Sequence, residues 1–181
     1  MRVVTTFFHT VSLLGLLCAG VATVHAETRD PMSNFFYQGF GNLRDEAEAA
    51  QQAGQVGVLI MFDDPDCPWC AKMKATILNQ AEIQDYYRKH FRPITVDTKG
   101  DGQLIDFAGK EWLEKDFAFK GHRVRATPVF IFFDTKGNTL LRYTGATRSV
   151  EEFHWLGEFI VSGAYKNKTF VAYKRERTQG K

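Results

Sequence analysis

The chain has 181 residues, 44% of them hydrophobic and 24% charged, and a formal net charge of +2 from 23 basic and 21 acidic side chains. This is the composition of an ordinary folded protein with a sizeable core, and one domain is expected. The charges are scattered along the chain and leave no basic footprint for nucleic acid, which excludes that class of partner.

Residues 1–26 differ from the rest. After Arg2 no Lys, Arg, Asp or Glu occurs before Glu27, an apolar stretch runs over 11–18, and Val24-His25-Ala26 supplies small residues where a signal peptidase needs them. The pattern predicts an export signal cut after Ala26 and a periplasmic mature protein. Two alternatives are an uncleaved anchor, since a stretch this long spans a bilayer core of roughly 30 Å, and a lipid-anchored Cys18, which the bulky Leu17 disfavours. Residues 27–40 read as a linker, 41–165 as the domain, and 166–181 as a basic tail with no assigned function.

From Asn42, a plausible N-cap, a run of helix formers extends to Gly54. The apolar run over 55–62 has strand length and is expected to be buried on both faces, as a central parallel strand would be. The Asp63-Asp64-Pro65 turn follows, and then Cys67-Pro68-Trp69-Cys70 opens a helix, with Pro68 suited to the first helical position and Asp66 or Cys67 to its cap. A helix over 81–91 carries Ile83, Tyr86, Tyr87 and Phe91 on one face and continues the previous one after a kink near Asn79. A strand is expected over 92–97, a polar Gly-rich stretch over 98–109 and a helix over 111–120. Strands over 128–133 and 139–143 form a hairpin around the 134–138 turn. Ser149 and Glu152 make a capping box for a last helix, with Phe153, Leu156, Phe159 and Ile160 on its apolar face and Gly163 as its stop.

Once Cys18 leaves with the signal, Cys67 and Cys70 are the only cysteines and can pair only with each other. A disulfide persists in an exported protein, yet one closing so short a loop constrains the unfolded chain little, so reactivity explains the pair better than stapling. Residues three apart on a helix lie on one face, and the helix N-terminus favours a thiolate. Cys67, at the start, is expected to attack, and Cys70, one turn in and more buried, to resolve the mixed disulfide. Ala71 stands where covalent haem attachment needs His. Zinc would need two more ligands, and the mature chain offers no third cysteine and only the scattered His90, His122 and His154. A structural disulfide is the remaining alternative. No metal and no cofactor beyond the redox-active Cys67/Cys70 disulfide is expected.

Cys67-Pro68-Trp69-Cys70 after an apolar strand, Ala126-Thr127-Pro128 before Val-Phe-Ile-Phe-Phe-Asp134, Gly137 and Gly145 together resemble the thioredoxin superfamily. Within it the chain is most similar to exported bacterial thioredoxins of the SoxW type, on the strength of Asp106-Phe-Ala-Gly109 and Ser162-Gly-Ala-Tyr165-Lys166. The resemblance spans 42–175. It implies an α/β thioredoxin-like fold, a central mixed sheet of about four strands flanked by helices. It also implies a monomer that reduces protein disulfides and is recharged by a membrane thiol electron carrier. Thr127-Pro128 falls where this fold places a cis-proline loop, able to pair with an extended substrate segment; a trans-proline that merely starts a strand is the alternative.

Three departures from cytosolic thioredoxins matter. Pro68-Trp69 replaces Gly-Pro between the cysteines, and Met61 stands where thioredoxins bury an aspartate that assists the resolving thiol. Asp63, Asp64 and Asp66 cluster nearby, either as a solvated acidic loop or as groups that tune Cys67 or relay protons. Trp69 is expected either to dock substrate, with Pro68, Thr127 and Pro128, or to pack on its loop. His154 and Trp155 are expected to be packing or surface residues. Besides the reductase, three readings are open: a disulfide oxidase, for whose large helical insertion 71–126 leaves little room, or an isomerase, whose separate dimerisation domain is not seen; a non-catalytic binding module; and glutaredoxin-like use of glutathione, for which no site is identifiable.

Overall fold

The computed structural model describes residues 27–39 and 41–180; the expected signal, its cleavage site and Cys18 lie outside them. The apolar run after Gly54 becomes β1 (Gly57–Asp63), buried at every position. It pairs in parallel with β2 (Phe91–Asp97) and antiparallel with a later strand over Val129–Asp134, whose hairpin partner spans Thr139–Thr144. Numbered in chain order these are β5 and β6, because β3 (Gln103–Ile105) and β4 (Glu111–Leu113) form a separate two-stranded ribbon. The main sheet has the order β2-β1-β5-β6, the mixed four-stranded arrangement expected.

Alternation along β1 and β5 sorts side chains onto two faces. Leu59, Met61, Phe130 and Phe132 face a core that includes both cysteines, Met73, Tyr87, Phe153 and Phe159. Val58, Ile60, Phe62, Val129, Ile131 and Phe133 face a second core with Leu43, Ala47, Phe117 and Val124. Helices cover both sides, which is why these strands read as continuous apolar runs. On the cysteine side lie α1 (Pro31–Asn34), α3 (Pro68–Thr76), α4 (Ala81–His90), α6 (Val150–Val161) and α7 (Phe170–Gln179); on the other lies α2 (Leu43–Gln52), capped by the Asn42 side chain. Ser149 caps α6 through the Glu152 N–H, and Glu152 reaches back to the Arg148 N–H.

The structure corrects five expectations. Residues 27–39 are no linker: Phe35 and Phe36 are buried, and Thr28 bridges Gln80. That insertion also explains why α4 does not continue α3. The Asn79 carbonyl accepts from Arg29 N–H and the Ala81 N–H donates to Glu27, so the connection becomes a true break. Phe91, expected on the helix face, opens β2 and still reaches the core. The helix expected over 111–120 is only Glu114–Asp116 (α5), running into a π-helical turn, Phe117–Gly121. Residues 111–113 pair instead with β3 across a turn closed by Asp106, whose carboxylate accepts from the Ala108 and Lys110 backbone N–H groups and from Trp112 Nε1. The tail, given no role, folds as α7 against α6: Phe159 packs on Phe170 and Tyr173, and Lys174 pairs with Glu152.

Because Phe35 is fully buried and stands edge-on to Phe36, Phe35→Ala is expected to cost about 3–5 kcal/mol of unfolding free energy in urea titrations. A loss below about 1 kcal/mol would mean that the N-terminal stretch adds little to the fold.

Candidate active site

β1 delivers the chain to the edge of the sheet at Asp63, and the Asp64–Asp66 loop turns it into α3. The Asp64 side chain accepts from the Asp66 N–H at 2.9 Å and its carbonyl accepts from the Cys67 N–H at 2.9 Å. Lys99 holds the loop from below, 3.0 Å from Asp64 and 2.8 Å from Asp66. Of the two cap candidates it is Cys67 that takes the position: its backbone is extended, Pro68 is the first helical residue, and its Sγ accepts from the Cys70 N–H at 3.2 Å. A sulfur thus does what a serine or threonine oxygen does at other helix starts, in a place where the helix dipole stabilises negative charge.

Both cysteines are free thiols. Cys67 is 9% exposed and Cys70 1%. Burial pushes the Cys67 thiol up, but hydrogen bonds at Cys70 and Thr127, with the backbone N–H groups of Cys70 and Trp69, outweigh it and leave the thiol below its ordinary value. Cys70 is driven the other way. Burial, the hydrogen-bonded Cys67 sulfur and the charge of Asp63 push it up to about 12, against opposing contributions from Asp64 and Thr127. Two thiols one helical turn apart are therefore shifted in opposite directions, the outer one toward the thiolate and the inner one toward the thiol.

Thr127-Pro128 is a cis peptide, as the resemblance implied. The Thr127 carbonyl lies 3.4 Å from Cys67 Sγ and accepts from its S–H. Pro128 is buried just ahead of β5, while Pro68 and Trp69 are exposed beside the sulfur. Trp69 does not pack on its loop: it is 57% exposed, with Lys72 Nζ 5.3 Å from its ring centroid. The fold therefore gathers Cys67, Cys70, Pro68, Trp69, Thr127 and Pro128 at one end of the sheet.

A model of the thioredoxin-like domain matches residues 43–160. The chain belongs to the thioredoxin-like family. A thioredoxin-fold protein from Helicobacter pylori superposes on this thioredoxin-like chain with a TM-score of 0.56 at 22% identity, over 68% of this chain and 85% of its own. A thioredoxin from Thermus thermophilus gives 0.51 at 21%, over 65% and 82%, and the DsbH oxidoreductase gives 0.50 at 20%, over 81% and 96%. At such identities the likeness is one of fold. No curated protein sequence matches the chain.

The three aspartates of this thioredoxin-like domain divide. Asp64 and Asp66 are the solvated, lysine-bound loop. Asp63 is buried on the same face of β1 as Met61, with one carboxylate oxygen on Lys74 and the other, Oδ1, without a hydrogen-bond partner among the described residues. Lys74 was missed in the sequence, although it stands four residues after Cys70 and so on the same helix face. His154 and Trp155 lie on α6, His154 with its ring 4.3 Å from that of Tyr86.

Proposed function

We propose that the protein is a thiol-disulfide oxidoreductase that reduces protein disulfides through Cys67 and Cys70. The observation that carries this reading is the opposed tuning of the two thiols at the start of α3, with Cys67 beside Thr127. The Cys67 thiolate attacks one sulfur of the substrate disulfide; a Cys67–substrate bond forms and the other substrate sulfur leaves as a thiolate. Cys70 then gives up its proton and attacks Cys67 Sγ. The Cys67/Cys70 disulfide forms, the second substrate sulfur leaves, and two electrons have passed to the substrate. Pro68, Trp69, Thr127 and Pro128 form the surface on which the substrate chain lies.

Regeneration requires an outside dithiol, and a membrane thiol electron carrier is proposed for it. Export to the periplasm, supported by the charge pattern of residues 1–26, is part of the proposal. So is the SoxW-type affiliation, which rests on the 106–109 and 162–166 segments alone. The deciding experiment is the equilibrium potential of the Cys67/Cys70 couple in glutathione or dithiothreitol buffers. A value at or below about −200 mV is expected; one near about −120 mV would overturn the reductase reading in favour of an oxidase.

A further inference from the structure

Two exposed aromatics flank the reactive sulfur, and only Trp69 belongs to the Cys-x-x-Cys motif. The other is Phe119, 53% exposed, in the π-helical turn. Its exposure does not come from a loose loop. Phe117 and Ala118 just before it are 2% and 1% exposed in the core, and Val124 just after it is 6% exposed. The intervening backbone is closed by hydrogen bonds from His122 to Phe117, Arg123 to Phe119 and Val124 to Ala118, at 3.0, 3.1 and 2.9 Å. Arg123 holds a left-handed conformation, φ 51°, that a non-glycine residue adopts at a cost. π-helical turns and backbone strain of this kind concentrate at functional sites, and here their effect is to fix a large apolar ring in solvent.

The ring shares a groove with Thr127. Phe119, Arg125 and Thr127 line one groove of about 390 Å³, with Asp64 and Lys99 on its far wall. Thr127 also lines the groove on the other side, of about 710 Å³, between α3 and the start of α6, where Trp69, Lys72, Met73 and Arg148 lie. The two grooves therefore meet at the residue whose carbonyl touches Cys67 Sγ. Each carries the same device, an exposed aromatic with a cation over it: Lys72 on Trp69 and Arg125 on Phe119, both at 5.3 Å from the ring centroid. In the Phe119 groove Asp64 is already held by Lys99, whereas no ion pair holds Arg125 among the described residues.

We propose that Phe119 and Arg125 form a second docking arm for the substrate protein, opposite Trp69. The arm selects an extended segment that places an apolar side chain on Phe119 and an acidic one on Arg125 while its disulfide lies over Cys67. The assignment rests on the protein-disulfide reductase reading and adds to it a substrate class. An aromatic offers large contact area with little side-chain entropy to lose, and a charge on the rim of an encounter surface acts mainly on the association rate.

The test is single-turnover oxidation of the reduced protein at low ionic strength by two disulfide peptides that differ only in carrying Asp or Lys beside the cysteine. The uncharged 2-hydroxyethyl disulfide, too small to reach the arm, serves as reference. The wild-type protein is expected to react with the Asp peptide roughly two- to fivefold faster than with the Lys peptide. Arg125→Glu is expected to reverse that order, and Phe119→Ala to lower the ratio of peptide rate to reference rate by about fivefold for both peptides. If the wild-type protein reacts with both peptides and neither substitution moves the ratios, the arm is overturned and the reductase reading stands. If the wild-type protein reacts with the reference but with neither peptide, the reading itself fails and takes the arm with it.

Discussion

Cys67→Ser is expected to lower the rate of disulfide reduction by more than about a thousandfold, and Cys70→Ser to stop the reaction halfway. Serine is itself a favoured N-cap, so the first substitution keeps the acceptor for the Cys70 N–H, and the start of α3 should survive. What is lost is a sulfur held below its ordinary pKa by its hydrogen bonds; a hydroxyl in its place does not ionise near neutral pH. In Cys70→Ser the outer thiolate remains and still attacks, but nothing follows it. A covalent adduct on Cys67 should therefore accumulate to one equivalent, read by intact mass. Undiminished turnover in Cys67→Ser, or an adduct that forms on Cys70 in that variant, would mean that Cys67 is not the attacking thiol.

How much of this was legible in the sequence follows from the range of each signal. β1, the hairpin of β5 and β6, and the capping box of α6 are written locally, in apolar runs bounded by glycine or proline and in the Ser149 to Glu152 spacing. So is the cysteine pair at a strand-to-helix junction. The ribbon of β3 and β4 is not, because three-residue strands leave no period to read, and Glu111 to Lys120 has the composition of a helix. Phe35 and Phe36 read as part of a linker, since the partners of Phe35, Tyr87 and Phe153, are distant in the chain. At the site, the pairing of Asp63 with Lys74 and the approach of Phe119 to Thr127 are tertiary facts. The i, i+4 relation of Cys70 and Lys74 was the only local hint of the first.

That pair carries the remaining large prediction. For the cycle to close, Cys70 must lose a proton, yet its thiol is pushed up to about 12. When Cys67 is tied up in a mixed disulfide its own contribution to that shift falls away, but burial, the largest cause, remains, so at neutral pH the inner thiol needs a base close by. Met61 is buried where thioredoxins carry the aspartate for this purpose, and it has no proton to exchange. Asp63, on the same face of β1, is close enough for its charge to raise the Cys70 thiol, and its Oδ1 is buried without a hydrogen-bond partner among the described residues. Asp63→Asn removes two things whose effects have opposite signs. Losing the charge lowers the pKa of Cys70 and by itself would speed resolution, the more so with Lys74 left without its carboxylate. Losing the base slows the proton transfer, by about a hundredfold or more where such a group is in use. The substitution is therefore expected to lengthen the life of the mixed disulfide about a hundredfold in rapid-quench experiments, with a defect that shrinks as pH rises and hydroxide takes over. A shortened lifetime would show that Asp63 acts through its charge alone, and the acceptor of the Cys70 proton would then have to be sought in the solvent.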